Sequence, residues 1–229
     1  MKLPWSTLFL LAFLFTACST PENESAPPDS LASLEGGKVF AVPTGTVADQ
    51  FVLQRFPDAK FAWYNTVYDC ALAVSHGKAD AAVYDLPVLK NIAGKTPGLT
   101  VLKDVLVPDS YGFAVAMNDT ALKRAIDRTL VEIRRNGTYD DMLRRWMPEH
   151  GAPEPMPDIP LMGGNGVLVF GTAAVTEPMS FVDADHHIVG FDVEFATRVA
   201  KDLNKHLEIV NMDFGAMLPA LIAGKVDMI

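Results

Sequence analysis

Cysteine is almost absent: the chain of 229 residues holds two, Cys18 and Cys70. That excludes a small domain framed by disulfides. Histidine is scarce too, with five in all. His186 and His187 are neighbours whose side chains point apart, and no His or Cys cluster accompanies them. Beside Asp183 and Asp185 they read as a polar turn, so neither a metal nor another cofactor is expected. Positive charge is short, with 19 Lys and Arg against 28 Asp and Glu and a formal net charge of −9. Nucleic-acid binding needs clustered cations, and the one Arg-rich stretch, 124–145, is interleaved with acids as a solvated helix face is. The sequence contains no HExxH, no phosphate loop and no nucleophile elbow. Its clearest unbroken apolar run, residues 8–15, falls short of the roughly 20 residues that cross a bilayer.

What is present is a chain with a core: 49% of its residues are hydrophobic, so wholesale disorder is excluded. Lys2, the apolar run and the small pair Thr16-Ala17 have the form of a secretory signal. Cys18 directly after the small pair resembles the lipobox of bacterial lipoproteins, although that pattern prefers Leu where Phe15 stands. The resemblance implies lipidation of Cys18 and a membrane anchor made of several acyl chains. Cys70 is then left without an intramolecular partner and reads as a small core residue of a helix. Residues 19–33 are polar and proline-rich at their start and are expected to form a disordered tether.

Beyond the tether, short apolar strands alternate with helices. Strands are predicted at 39–42, 61–64, 81–84 and 100–102, and helices at 48–55, 68–75 and 87–93. A further strand at 111–117 leads into a helix capped by Asp119 or Thr120, with Leu122, Ile126, Leu130 and Ile133 close to one face. Asn136-Gly137 ends it, and Thr138 opens another helix that Pro148 closes. Residues 148–165 are rich in Pro and Gly and form a linker. Strands then follow at 167–171, 207–211 and from 226, with helices at 191–203 and 217–223. Strand–helix alternation implies parallel sheets covered by helices.

The two halves echo each other. Both run strand, loop, helix, strand, helix and apolar strand. Gly77-Lys78-Ala79-Asp80 and Gly224-Lys225-Val226-Asp227 occupy the same place in that order. Two related α/β lobes follow. The second copy stops at Met228-Ile229, in mid-strand, where a free carboxylate on a buried strand would be an unpaired charge, so a truncated chain is expected.

Gly190-Phe191-Asp192-Val193-Glu194-Phe195, with Val199-Ala200 and Leu203, resembles the signature of bacterial extracellular solute-binding proteins of family 3, the amino-acid receptors of ATP-binding-cassette importers. Phe214, Leu218-Pro219-Ala220-Leu221 and Gly224-Lys225-Val226-Asp227 continue the likeness. Earlier in the chain, Gly36-Gly37-Lys38-Val39, Thr44-Gly45-Thr46 and Gly77-Lys78-Ala79-Asp80-Ala81 are similar to the lobe that such proteins place later, as are Tyr84-Asp85. Tyr111-Gly112-Phe113-Ala114-Val115 and Asn136-Gly137-Thr138-Tyr139 to Trp146 are similar to their usual C-terminal end. The lobes therefore stand in a non-standard order, as in a circular permutant or in tandem modules of which one is cut short. The resemblance implies a periplasmic binding protein-like α/β fold with two Rossmann-like lobes (type II), the second incomplete. The expected divisions are signal and lipidation Cys at 1–18, tether at 19–33, the second-lobe-like unit at 34–110, the closing strand and helices of the first lobe at 111–147, linker at 148–165, and the opening part of that lobe at 166–229.

A free amino acid brings a carboxylate and an ammonium, and each needs a partner when buried. Thr44, Gly45 and Thr46 lie between a strand and a helix start. They serve equally as a tight turn or as an anion cradle of backbone N–H groups and hydroxyls, and the resemblance selects the cradle. Asp85, with Tyr84 before it, ends a buried strand. The resemblance gives this acid the ligand ammonium, and an N-cap ahead of Pro87 is compatible with that role. Phe214 corresponds to a family aromatic that packs on the ligand, and equally reads as ordinary core. Thr176 stands in the ligand-facing loop where the family often has an aromatic, and Ala173 where it often has an acid. The expected function is capture of a small polar solute, an amino acid by the resemblance, for an ATP-binding-cassette permease. No catalytic residue is expected, and the location is periplasmic or cell-surface through a lipid anchor. The alternatives are an enzyme on the same fold, such as a cyclohexadienyl dehydratase or a transglycosylase-associated module, and the ligand-sensing domain of a receptor.

Overall fold

The computed structural model describes residues 28–108, 110–148 and 153–229. The proposed signal segment and Cys18 lie outside the described residues. Regular structure is present within the segment expected as tether. Leu31–Leu34 form one 3-10 turn, the Leu31 amide donates to Asp104 Oδ2 at 2.8 Å, and Leu34 is buried against Phe40, Val52 and Phe56. Apolar Leu31 and Leu34 have a core to join, so the last residues assigned to the tether belong to the body.

The N-terminal unit, called the first lobe from here on by its place in this chain although it resembles the family's second, is a three-stranded parallel sheet in the order β2-β1-β3, with β1 at Val39–Pro43, β2 at Lys60–Tyr64 and β3 at Ala81–Ala82. Helices α1 (Ala48–Arg55), α2 (Val67–Ser75) and α3 (Leu86–Lys95) connect and cover it. Phe40, Ala41 and Val42 are almost wholly inaccessible, as a central strand covered on both faces requires. Gly77 ends α2 in the left-handed conformation (φ +67°), with its N–H on Val74 O and the Lys78 N–H on Ala73 O.

The second lobe pairs β4 (Val167–Thr172) with β8 (His206–Asn211) in parallel register, Val167 opposite His206 through Thr172 opposite Asn211. Met228 adds a parallel bridge to Phe170 on the other side of β4, so β8, β4 and Met228 repeat the order of the first sheet. The echo extends to single hydrogen bonds. Asp80 accepts the Val39 amide at 2.8 Å, and Asp227 accepts the Val169 amide at 2.8 Å. Gly224 and Lys225 repeat the bonds of Gly77 and Lys78 on Leu221 O and Ala220 O. The two Gly-Lys-x-Asp segments are thus one device used twice: a helix stop followed by a carboxylate that pins the central strand.

Residues on either side of the linker build this second lobe together. Helices α4 (Thr120–Arg135) and α5 (Thr138–Trp146) pack against α6 (Phe191–Asp202). Val115 bridges Met228 in antiparallel sense, and Ala114 and Ile229 exchange both backbone hydrogen bonds at 2.9 and 3.0 Å. Phe113 stacks on Phe195 with centroids 4.6 Å apart. Glu194, fully buried, accepts both hydrogen bonds of Arg145 Nη2 at 2.8 and 2.9 Å, one from Trp146 Nε1 at 2.7 Å, and two from Arg198. Burial by itself would raise the Glu194 carboxyl. The bonds from Arg145, Arg198 and Trp146 outweigh it and hold the group below the usual carboxylate range.

Four expected elements differ. Residues 100–102 are not a strand; Leu102 instead packs beside the Phe40 cluster. Residues 111–117 form no strand; Val115 bridges Met228, and Ala114 bonds Ile229 beside it. The stretch after β4, expected as a loop, carries a small antiparallel sheet of β5 (Val175–Thr176), β6 (Ser180–Val182) and β7 (Ile188–Val189). The last helix, α7, spans Phe214–Ile222 and so starts three residues before its expected position.

Candidate functional site

The two sheets present the carboxyl ends of their strands to each other, the place where open α/β sheets receive ligands. Between them lies a cleft of about 530 Å³. One wall comes from the first lobe: Pro43, Thr44 and Thr46 after β1, Asn65 and Thr66 after β2, and Tyr84 after β3. The facing wall comes from the second: Ala173, Val175 and Thr176 after β4, Asn211 to Asp213 after β8, and Phe214 and Ala216 at the start of α7.

Local chemistry fixes each wall. The Thr46 hydroxyl donates to Pro43 O at 2.8 Å, which closes the β1–α1 loop and turns Thr44 outward. Thr66 caps α2, accepting the Asp69 amide at 3.1 Å while its hydroxyl donates to Asp69 Oδ2 at 2.8 Å. Across the cleft, Asn211 Oδ1 accepts the Ala174 amide at 2.9 Å and ties the β8 end to the loop after β4. Phe214, the first residue of α7, is 48% exposed.

The lobes also touch. Tyr84 hydrogen-bonds Thr176 across the cleft, and its hydroxyl is pushed up to about 12 by burial and by the nearby Asp85 charge. Lys95 Nζ pairs with Glu177 Oε1 at 2.5 Å, and Asn91 reaches the same oxygen at 3.5 Å. Gly45, at φ +83°, faces Gly215 so closely that a Cβ on it would stand 3.4 Å from the Gly215 Cα.

Five of the expected ligand residues, Thr44, Thr46, Tyr84, Thr176 and Phe214, therefore line one cavity. Two do not. Gly45 faces the start of α7 and is not among the lining residues. Asp85 stands behind Tyr84 as the residue before α3, where the Tyr111 hydroxyl bonds its carboxylate. That hydroxyl, desolvated and close to the Asp85 charge, is pushed well above its ordinary range. Asp192, on the first turn of α6, is raised by desolvation to about 7. Sequence reasoning missed Asn65, Thr66, Asn211 and Asp213. Thr66 had a usable signal, the Thr-x-x-Asp pattern of a helix start at 66–69.

Among the described residues no group of three or more His, Cys, Asp or Glu could hold a metal ion. Cys70 is buried, and its thiol is pushed up to about 12 by desolvation, which makes it an inert core residue.

Residues 168–229 match the family described as bacterial extracellular solute-binding proteins, family 3. The chain is 25% identical over 118 residues to the ABC transporter glutamine-binding protein GlnH of Bacillus subtilis, an alignment covering 52% of this chain and 43% of that protein. It is 31% identical over 127 residues to the amino-acid-binding protein AabA of Dichelobacter nodosus, covering 52% of this chain and 50% of that one. Among solved structures, the ancestral amino acid-binding protein AncCDT-1, described as a precursor of cyclohexadienyl dehydratase, is 26% identical with a TM-score of 0.45, covering 54% of this chain and 52% of that one. The chain spans about half the length of the curated relatives it matches.

Proposed function

We propose that this chain captures a small polar solute, an amino acid, and delivers it to an ATP-binding-cassette permease without transforming it; the match of residues 168–229 to the bacterial extracellular solute-binding proteins of family 3 supports the reading. The observation that carries this reading is the cleft walled by both lobes. Thr44, Thr46, Thr66, Thr176 and a half-exposed Phe214 line one volume large enough for an amino acid. A binding protein needs such a set: polar partners for the ligand's charged groups, a surface for a side chain, and two bodies able to close. The relatives, named as binding proteins for glutamine and for amino acids, support the non-catalytic role.

We read residues 34–110 as one lobe, and 111–147 with 166–229 as the other, joined through the linker at 148–165. This is the circularly permuted order, and the Glu194 network and the Met228–Val115 bridge support it. Lipidation at Cys18 would hold the protein on the outer side of a membrane.

The test is thermal unfolding with each of the twenty amino acids at 1 mM. A ligand of roughly 10 μM dissociation constant adds about 2.7 kcal/mol, which raises the midpoint of a chain this size by several degrees. A panel in which no amino acid moves the midpoint contradicts the reading.

A further inference from the structure

We propose that Glu177 is a positioning residue of the cleft: gripped from the first lobe by Lys95 and Asn91, it holds the turn that sets Thr176 opposite Tyr84 and keeps the two walls in register. The inference rests on the solute-binding reading and adds to its site a residue that lies outside the cleft.

Thr176 and Glu177 are neighbours in sequence that line different cavities. Thr176 lines the main cleft, and Glu177 lines a smaller cavity of about 270 Å³. Val67 and Val175 line both, so the two cavities meet beside the turn that follows β5. That turn is tight, with the Met179 amide donating to Thr176 O at 2.8 Å. One side of it is fixed to the second lobe by main chain. Pro178 O and Met179 O accept the first amides of α6, from Phe191 and Asp192, at 3.1 and 2.9 Å.

The hydrogen bonds from this turn to the first lobe come from side chains. Thr176 meets Tyr84, and Glu177 Oε1 receives Lys95 Nζ at 2.5 Å and Asn91 Nδ2 at 3.5 Å. Asn91 and Lys95 stand four residues apart on α3, so both donors lie on one face of the helix. Among the described residues Lys95–Glu177 is the single ion pair that joins the lobes. Every other pair lies within one lobe or ties the linker to the second. Lys95 and Glu177 are also the only charged residues that line the smaller cavity, so no rival charge competes for either there. The pair is partly exposed, at 50% and 27% of the two side chains. Its effect on an equilibrium is therefore about two- to fivefold, the range of a surface pair, and it is sensitive to salt.

The experiment is a charge-swap cycle in the full chain: Glu177→Lys, Lys95→Glu and the two together. The probe is the amino acid that gives the largest midpoint shift in the thermal panel, titrated by calorimetry. Each single reversal sets like charges across the lobes and should weaken binding by about fivefold. The double variant should return to within about twofold of the natural protein. A residue needed only for the folding of its own lobe would show no such rescue. The deficits of the single variants should shrink in about 1 M sodium chloride, where the Debye length falls to about 3 Å. Carbodiimide coupling gives a readout that needs no solute. It should join the Lys95 amine to the Glu177 carboxylate as an amide, found by mass spectrometry as a linked pair of peptides. Single reversals that bind as tightly as the natural protein overturn the inference. So does a double variant as weak as the singles, or absence of the Lys95–Glu177 link with and without the probe. Each of these leaves the solute-binding reading standing. A flat thermal panel removes that reading and this inference with it, whether or not the link forms.

Discussion

Glu194→Ala is expected to lower the stability of the protein by about 3–5 kcal/mol, the usual cost of breaking a buried ion pair on one side. The carboxylate is wholly inaccessible and receives five hydrogen bonds from three side chains, Arg145, Trp146 and Arg198. Its removal leaves the buried Arg145 guanidinium with Asp141 alone, at 2.8 Å, and the Trp146 indole N–H without its acceptor. Glu194→Gln keeps the shape and one acceptor, so it should lose less. Urea unfolding read by tryptophan fluorescence measures both, and a loss under about 1 kcal/mol for alanine would contradict the network's role. The pH dependence has a defined sign. The folded carboxyl sits below its unfolded value of about 4.3. The stabilisation is therefore complete above that value and disappears as pH falls through the depressed one. Because α5 and α6 lie on opposite sides of the linker, Glu194→Ala should also loosen residues 111–147 from residues 166–229. Hydrogen exchange across α4 and α5 should rise more than across α1 to α3.

Gly190→Ala should be nearly as damaging, at about 3–5 kcal/mol. Gly190 precedes α6 with φ +136°, a conformation that side-chain-bearing residues rarely adopt. An added Cβ would stand 2.2 Å from the backbone oxygen of Met179 and 2.6 Å from its carbonyl carbon. Both obstacles are main chain held by the Asp192 amide on Met179 O at 2.9 Å, so neither can move cheaply. Strain at the dihedral and displacement of β6 add together. The same unfolding series measures it, and a variant within 1 kcal/mol of the natural protein would show that this entry to α6 tolerates a side chain.

Strong periodicity and punctuation made most of the fold legible. The expected bounds of α1, residues 48–55, coincide with the observed helix, and Gly77 and Gly137 stop or start helices where positive φ is needed. The repeated Gly-Lys-x-Asp segment pointed to two related lobes, and matching hydrogen bonds of Asp80 and Asp227 bear that out. What escaped was structure too short to have a period. Strands β5 to β7 hold two or three residues each, and no alternation can be read from so few. Helix α7, expected at 217–223, begins at Phe214 and so includes Gly215, a weak helix former. That delay hid Asp213, which reads as a loop acid until the helix is known to begin at the next residue. Asp85 and Gly45 fit the sequence pattern of ligand contacts. The sequence does not record that Tyr111 engages the first and Gly215 abuts the second.

The cleft between the lobes is the point on which the account stands. Backbone amide resonances of the isotope-labelled full chain, recorded with and without the amino acid that most raises the unfolding temperature, test it directly. The account predicts shifts on both walls at once, at Thr44, Thr46, Thr66 and Tyr84 and at Val175, Thr176, Asp213 and Phe214. Shifts confined to one lobe, or gathered away from these residues, would contradict it.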